Sequence, residues 1–301
     1  MIDMKENSYR FSGHETFYCR QYWLKRGYDF ILQHDVTEFK TEKAIMELAV
    51  GKNMVTSILF WMRAFGILDE EDNRTLFANS ILSDDGFDPY LEDDGTLWLL
   101  HYRLCSNKYA SIYHMIFNEY VNQKTTGLMN EERLMRFLLQ DHPDSSTISN
   151  SSQKSLLADI KVFLSMYVPG AASTKSVEDR NNSLLLDLNL ISRFNEDKSV
   201  EKYYLIQRGL KKEIPVEILA YCTLDKLNYM GSNALSFNKF YNDVAMYFGL
   251  TVEGAEQAIQ RLVDFKKFEF VYRDNAGVKE LQLKGDAQKL MDKTLKWYYN
   301  A

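Results

Sequence analysis

The stretch at residues 42–68 most constrains the fold, because it predicts two short helices separated by a break. A first helix is expected over residues 42–49. Gly51 suits a left-handed turn residue, and Asn53 is a good N-cap for a second helix. Apolar side chains then recur at helical spacing. These are Val55, Ile58, Leu59, Met62 and Phe65. The stretch therefore predicts a helix-turn-helix.

The opposite face of the second predicted helix is short, polar and partly basic. A helix that reads the major groove presents such a face to base edges and phosphates, with its N-terminal residues forward. The expected DNA contacts are Lys52, Asn53, Thr56, Ser57 and Arg63. A plain helical hairpin in an all-α core is the alternative for this motif.

The acidic residues are concentrated in one part of the chain. The net charge of the 301 residues is −6, but residues 69–94 hold one Arg against ten Asp and Glu. The sequence on either side of that segment is close to neutral. DNA binding would therefore depend on local geometry more than on a broad basic field.

A small hairpin is expected directly after the helix-turn-helix. Strands at residues 67–68 and 76–77 would flank a turn at 69–74, which completes a winged-helix pattern. The turn carries four consecutive acids at residues 69–72, which phosphate would repel. We expect this wing to face a protein partner rather than DNA.

The densest cluster of chemically capable side chains lies at residues 9–20. His14 could act as a general base, Glu15 as a metal ligand or orienting group, and Arg20 as a phosphate clamp. A phosphodiesterase could use such a set. These three residues are the predicted catalytic residues.

The same motif also has a structural interpretation, as a capping box. Ser12 would bond the amide of Glu15, and Glu15 would reach back, at the start of a helix that stops at Gly27. In a regular helix Glu15 and Arg20 lie about 140° apart and cannot converge. A chemical role requires His14 to sit in a loop before the helix, or another segment to complete the site.

A second acidic segment, residues 83–102, could bind a divalent metal, because Mg²⁺ and Mn²⁺ take carboxylate oxygens. Glu92 and Asp93 are the predicted ligands. The spacing does not match a calcium loop. The alternative is a surface loop and then a helix capped by Asp93 or Asp94, with His101 on its buried face.

Later stretches repeat the order of helices followed by a hairpin. A polar break at residues 142–152 is the best linker candidate. A second copy would use helices at 156–167 and 176–190 and strands at 191–194 and 203–206, joined by a turn at 195–198. A third would use helices at 215–227, 237–248 and 252–265, with Thr251 as a cap, and strands at 268–273 and 278–283.

The predicted fold class is mostly α with small β-hairpins, in tandem winged helix-turn-helix units. The predicted domains are 1–94, a DNA-reading winged helix with the acidic loop; 95–212, a helical middle region with a second winged-helix-like unit; and 213–301, a C-terminal winged helix. The would-be reading face of the last domain is acidic, which opposes DNA and favours a protein partner. It carries Glu253, Glu256, Gln257, Gln260 and Asp264.

Composition limits the cellular setting. The three cysteines, Cys19, Cys105 and Cys222, are far apart, so neither a zinc site nor a disulfide framework is indicated. No apolar run approaches the roughly 18 residues of a membrane span, and the first residues lack the features of a signal peptide. A soluble cytoplasmic protein without a membrane partner is expected.

Several motifs resemble a bacterial family described as a domain of unknown function. They are Ser12-Gly-His-Glu-Thr-Phe17 with Arg20; Trp23-Leu-Lys-Arg-Gly-Tyr-Asp29; Val50-Gly-Lys-Asn-Met-Val-x-Ser57 with Trp61 and Ala64-Phe-Gly66; and Pro89-Tyr-Leu-Glu-Asp-x-Gly-Thr-Leu-Trp-Leu-Leu-His101. The family includes the SspB-type DNA-nicking component of single-stranded DNA phosphorothioation systems. One departure is Leu59-Phe60, where a basic residue and a Tyr are expected, and it weakens phosphate contact by one charge.

The resemblance implies a DNA-binding component of a phosphorothioation or related phage-defence system that nicks double-stranded DNA with Mg or Mn. It also implies partners: a cysteine desulfurase, a PAPS-reductase-like ATP pyrophosphatase and an ATPase component. Two alternatives remain open. One is a non-enzymatic transcription regulator, for which symmetric operator binding by a homodimer would be the sign. The other is a scaffold for partner enzymes.

Overall fold

Helices dominate the computed structural model, which describes residues 9–124, 127–170, 182–194, 202–275 and 277–300. Small antiparallel sheets accompany them, so the predicted mostly α class with small β-hairpins is confirmed. The chain divides into two compact units, Met1–Ile206 and Gln207–Ala301. The predicted domains 1–94 and 95–212 therefore fall almost entirely within the first unit, and 213–301 falls within the second.

The first unit is built from short helices around one aromatic-rich core. Its helices are α1 (Trp23–Gln33), α2 (Glu42–Leu48), α3 (Lys52–Ala64), α4 (Leu76–Leu82), α5 (Asp94–Asn107), α6 (Ser111–His114), α7 (Val121–Gln123), α8 (Glu131–Arg136), α9 (Ser145–Ile148) and α10 (Gln153–Tyr167). A 3₁₀ turn at Val36–Lys40 precedes α2, and a π segment at Met115–Tyr120 joins α6 to α7. A second π segment, Phe137–Asp141, extends α8.

Helix α1 crosses α3 at Gly27. A Cβ atom at this position would meet Met62 Sδ at 2.4 Å and Ile58 Cγ2 at 2.9 Å, so only glycine permits the close approach. The prediction that a helix stops at Gly27 is wrong, because α1 begins at Trp23 and continues past Gly27 to Gln33. Contact with α3, rather than helix termination, explains the glycine.

Helices α2 and α3 lie where two short helices were predicted, and their axes are bent by 82°. The turn differs in detail from the sequence-based expectation. Ala49, not Gly51, takes the left-handed conformation, with φ of 52°. Gly51 is the extended N-cap residue of α3, so Asn53 lies inside the helix and does not cap it.

The predicted wing after α3 is wrong in its second strand. Leu68 and Arg74 form a single antiparallel bridge, and no second strand follows in this described part of the chain. Leu76 instead begins α4, because Thr75 caps that helix by accepting a hydrogen bond from the Ala78 amide at 3.1 Å. The capping hydroxyl outweighs the short apolar pattern that suggested a strand.

Helix α5 is buried on nearly all sides and not only on the predicted face, and Asp93 is its N-cap, as the alternative interpretation of this segment expected. His101 is fully buried, and its Nδ1 lies 2.8 Å from the hydroxyl of Tyr167 on α10. Phe117 packs edge-on against both rings, and Phe163 lies tilted against Tyr167. His101 is therefore a satisfied core histidine.

The polar break at residues 142–152 does not separate compact units. His142 is buried, with its Nε2 bonded to the Glu119 carboxylate, and α9 lies inside the break. His114 also contacts Glu119, at 3.3 Å. Desolvation raises the pKa of Glu119, but hydrogen bonds to the two histidines have the larger combined effect in the opposite direction. The resulting pKa is about 2. The carboxylate thus ties the break to the π segment.

A three-stranded antiparallel sheet completes the first unit. Its strands are β1 (Leu128–Met129), β2 (Ile191–Phe194) and β3 (Tyr203–Ile206), in the order β1-β3-β2. The predicted strands at 191–194 and 203–206 are confirmed. The predicted turn at 195–198 lies outside the described residues. So does the first part of the predicted helix at 176–190, whose described end holds a 3₁₀ turn at Leu186–Leu188.

The second unit combines four helices with a three-stranded sheet in its described residues. Its elements are α11 (Val216–Met230), β4 (Ala234–Ser236), α12 (Phe237–Phe240) continued by a π segment (Tyr241–Ala245), α13 (Val252–Asp264), β5 (Phe270–Asn275), β6 (Val278–Leu283) and α14 (Ala287–Tyr299). The antiparallel order is β4-β6-β5, with Leu281 opposite both Leu235 and Tyr272. Thr251 caps α13 as predicted, whereas α14 was not predicted.

By length and hydropathy, no single helix in the described ranges could cross a membrane. The bent pair of α2 and α3 meets the combined length and hydropathy of a span.

The buried pair of His101 and Tyr167 gives a matched test of the core. Tyr167→Phe removes the partner of a buried imidazole, so we expect the free energy of unfolding to fall by about 1–2 kcal/mol. Tyr113 is equally buried, and its hydroxyl has no hydrogen-bond partner among the described residues. Tyr113→Phe removes a buried hydroxyl that no described residue satisfies, so it should leave the free energy of unfolding unchanged or raise it. Urea denaturation measures both free energies of unfolding. Equal losses in the two variants would contradict a stabilising hydrogen bond between His101 and Tyr167.

Candidate nucleic-acid interface

A groove of about 430 Å³ runs along one face of α3. The four residues that α3 contributes, Thr56, Leu59, Phe60 and Arg63, follow the i, i+3, i+4, i+7 spacing of a single helix face. We call this the α3 groove. Its other lining residues are Arg10, Phe11, Ser12, Gly13, Phe39, Lys40 and Tyr109.

The α3 groove is cationic. Arg10 and Lys40 are exposed at its edges, and Arg63 is partly exposed, while no acidic residue is among those that line it. A concave surface of one charge concentrates the electrostatic field and attracts an anion. The groove is thus a basic feature in a chain whose net charge is −6.

Arg63 is held by the acidic turn that follows α3. Its Nε and Nη2 each donate to one carboxylate oxygen of Asp72, both at 2.7 Å. These hydrogen bonds raise the pKa of Arg63. Asp72 reaches this geometry with φ of 63°, in the left-handed region. Asp72 therefore occupies the same donors that a phosphate would use.

Aromatic rings and an apolar floor make up the rest of the groove. The Arg10 guanidinium lies 4.0 Å from the centre of the Tyr109 ring. Tyr109 packs against Phe60 with ring centroids 5.4 Å apart. Phe39 and Leu59 also line the groove, although each is mostly buried. Phe60 and Tyr109 are buried as well, so the groove offers charge together with the 5–8% of each of these four side chains that stays exposed.

The N-terminal wall of the groove is a loop anchored on α3. The Phe17 carbonyl accepts hydrogen bonds from Trp61 Nε1 at 3.1 Å and from Ser57 Oγ at 3.5 Å. Ser57 is therefore fully buried between the loop and the helix. The prediction that Ser57 contacts DNA is wrong, because its hydroxyl faces the protein interior.

His14 lies beneath this wall, in the interior. Its Nδ1 accepts from the Thr16 amide at 3.1 Å, so Nε2 must carry the proton, and Nε2 lies 3.2 Å from Asp159 Oδ1. The contact is electrostatic rather than a well-aligned hydrogen bond. The other Asp159 oxygen accepts the Ser12 amide at 2.8 Å. Both His14 and Asp159 are buried.

The segment that holds His14 is a loop, so the predicted capping box is wrong. Ser12, Glu15 and Thr16 all have positive φ, which no helix start allows. Gly13 has φ of 95°, and a Cβ there would meet the Phe60 ring at 3.0 Å. Both the backbone conformation and the close contact with Phe60 therefore favour glycine. Tertiary contacts, rather than a local cap, determine this conformation.

The described contacts do not gather the three predicted catalytic residues. His14 faces Asp159 in the interior, while Glu15 is exposed. The Arg20 guanidinium lies 5.5 Å from the Trp23 ring. His14 thus sits in a loop, as a chemical role requires, but only 3% of its surface is exposed.

The first turn of α3 is the exposed part of the predicted reading helix. Lys52 and Asn53 of this turn are exposed, and so is Thr56 at the start of the next turn. A helix N-terminus carries free backbone amides and the positive end of the helix dipole, which favour phosphate. Three of the five predicted DNA contacts therefore lie where DNA could reach them, and Arg63 lies at the groove.

Glu92 and Asp93 do not form a metal site. Asp93 accepts the Gly95 and Thr96 amides as the cap of α5, and the Glu92 and Asp93 amides donate to Asp88. No group of three or more His, Cys, Asp or Glu is arranged for a metal ion within the described ranges. The donor set does not fit Mg²⁺ or Mn²⁺, which take several oxygen ligands.

Arg10, Lys40 and Tyr109 were not predicted as site residues. They come from three segments that are far apart in sequence, and only the fold brings them beside α3. Arg10 lies in the motif at residues 9–20, whose density of polar and aromatic groups was the one available signal. No sequence signal marked Lys40 or Tyr109 as a site residue.

Comparisons with known proteins agree with this fold. A family model described as "Protein of unknown function (DUF4007)" matches residues 11–299. Two similar solved structures are described as "SspB crystal structure", with a TM-score of 0.77, and "Magnesium ion-bound SspB crystal structure", with 0.78. Each is 24% identical, and the match covers 98% of this chain and 88% of that chain. No functionally curated sequence matches significantly.

The role of the buried Asp159 in anchoring the N-terminal wall can be tested directly. Asp159→Ala removes the partner of His14 and the acceptor of the Ser12 amide. We expect a loss of about 2–4 kcal/mol in the free energy of unfolding and faster hydrogen exchange at the amides of residues 10–17. Asp187→Ala, an exposed site in the same unit, is the control. Unchanged exchange at residues 10–17 would contradict the anchoring role.

Proposed function

The chain belongs to the DUF4007 family, whose model matches residues 11–299, and on that premise we propose that it is the DNA-binding component of a bacterial DNA phosphorothioation or related phage-defence system. The observation that carries the proposal is the exposed first turn of α3 beside a cationic groove. The likeness in fold to the SspB structures supports the choice of system. The exposed first turn of α3 and the α3 groove support DNA as the ligand.

The proposed DNA contacts follow from what is exposed. Lys52 and Asn53 approach the duplex with Thr56 from the first turn of α3, and Lys40 adds a charge at the groove. An exposed Lys in such a position contacts phosphate, whereas Asn can read a base edge. The acidic turn at residues 69–72 keeps phosphate away from the end of α3.

Winged-helix architecture is proposed for the second unit. Its order of helix, strand, helix, helix, strand, strand, with the third strand central, is the arrangement of a winged helix. In the first unit, α1, α2 and α3 supply the three helices, but a single bridge stands where a wing would be. We therefore propose one helix-turn-helix unit without a full wing and one winged helix, rather than three tandem copies.

The second unit is proposed to bind a protein partner. The exposed face of its α13 is acidic and carries Glu253, Glu256, Gln260 and Asp264. Phosphate would be repelled there, so this helix is a poor DNA reader although it occupies the reading position. A basic surface on a cysteine desulfurase, an ATP pyrophosphatase or an ATPase of the same system fits this charge.

Nicking is implied by the family resemblance alone. The described residues bring His14, Glu15 and Arg20 to no common point and present no carboxylate set for a divalent ion. We therefore assign DNA binding to this chain and no cleavage step to these residues. A transcription regulator would differ by symmetric binding to one operator, and a scaffold by the absence of DNA affinity.

Loss of one proposed phosphate contact tests DNA binding. Lys52→Ala should lower the affinity for duplex DNA about five- to tenfold and reduce the slope of log affinity against log salt by about one. Lys289→Ala removes the same charge from an exposed site in the other unit and should leave both quantities unchanged. Fluorescence anisotropy over a salt series measures them. Equal losses from the two variants would contradict the assignment of the α3 surface.

The ion pair at the end of α3 supplies a gain-of-binding test. Asp72→Asn should raise DNA affinity about two- to fivefold, because it releases the Arg63 guanidinium for phosphate. Asn also tolerates the left-handed φ of this position, so the turn should persist. Glu71→Gln, an equal charge change in the same turn, is the control. If Glu71→Gln raises the affinity as much, general repulsion rather than Arg63 is responsible.

A further inference from the structure

The size of the α3 groove suits a single nucleotide better than a stretch of duplex. About 430 Å³ falls in the range of small-molecule pockets. The groove also lies beside the exposed first turn of α3, because Thr56, which directly follows that turn, lines the groove. A duplex bound at that turn would therefore lie next to a pocket of nucleotide size.

The lining of the groove offers what a nucleotide needs. A base requires apolar contact, and the groove is lined by Phe60, Leu59 and Phe39, each of which keeps 5–8% of its surface exposed. The phosphate requires cations, and Arg10 and Lys40 are both exposed at the groove. Proteins that hold unstacked bases combine aromatic rings, guanidinium planes and basic side chains in this way.

The N-terminal wall of the groove is held in place by contacts within the protein. Gly13 lies against the Phe60 ring, and the loop behind it is anchored by the Asp159 contact to Ser12 and His14. Arg10 is held against Tyr109 on the opposite side. A wall fixed before the ligand arrives reduces the entropy lost on binding.

We propose that the α3 groove holds one unstacked nucleotide of the bound DNA, with its base on the apolar floor and its phosphate at Arg10 and Lys40. This inference rests on the proposed DNA binding and names the form of DNA that is preferred. Taking a paired base out of a duplex costs free energy, and that cost is smallest for an unpaired base. DNA with an unpaired nucleotide should therefore bind more tightly than the fully paired duplex.

The test compares two labelled duplexes of the same sequence, one fully paired and one with a single bulged nucleotide. We expect the wild-type protein to bind the bulged duplex at least about tenfold more tightly. The double variant Arg10→Ala, Lys40→Ala should lose most of this preference. Lys52→Ala should weaken binding to both duplexes by a similar factor and keep the preference. Circular dichroism checks that each variant is folded.

The outcomes separate this inference from the proposed function. Equal binding of both duplexes by the wild type would overturn the nucleotide site and leave DNA binding intact. No binding of either duplex would overturn both. A preference that survives in the Arg10→Ala, Lys40→Ala variant would place the unpaired nucleotide elsewhere. Displacement of the bulged duplex by free thymidine monophosphate at a comparable concentration would make the groove a site for free nucleotides and overturn its role in DNA recognition.

Discussion

The buried contact between His14 and Asp159 is the interaction on which the rest of the candidate site depends. Asp159 accepts the Ser12 amide with its second oxygen, so one carboxylate holds two points of the N-terminal loop against α10. A buried carboxylate is stable only when it is paired and hydrogen-bonded. The contact therefore fixes the loop, and the fixed loop forms one wall of the groove beside α3.

Helix α3 combines two roles along its length. Gly27 lets α1 pack closely against Ile58 and Met62, and Trp61 and Ser57 bind the N-terminal loop. These contacts bury most of the helix, including Leu59 and Phe60 at the groove, and leave Lys52, Asn53 and Thr56 exposed. The exposed first turn carries the charge of Lys52 and the hydrogen-bonding amide of Asn53. The groove adds apolar lining residues. DNA recognition through this surface would use the helix end and not its full length.

Sequence periodicity predicted helices such as α3, α5 and α10, although each is buried on more than its predicted face. The residue types typical of helix N-caps predicted Thr251 and, as the alternative to a metal ligand, Asp93. It failed where distant contacts determine the backbone. The pattern Ser12-x-x-Glu15 resembles a cap, but Asp159 and Trp61 hold that segment as a loop. In the candidate site, Thr56 and Arg63 were predicted from helix spacing. Arg10, Lys40 and Tyr109 could not be, because only tertiary folding brings them to α3.

The central claim is that DNA lies on the first turn of α3 and enters the groove beside it. Photocrosslinking with bromodeoxyuridine-substituted DNA, followed by mass spectrometry of the crosslinked peptides, locates the DNA without any substitution in the protein. The account predicts crosslinks in peptides that contain residues 52–63, Lys40 or Tyr109, and none on the acidic face of α13. Crosslinks confined to the second unit, or to surfaces of the first unit away from α3, would contradict it.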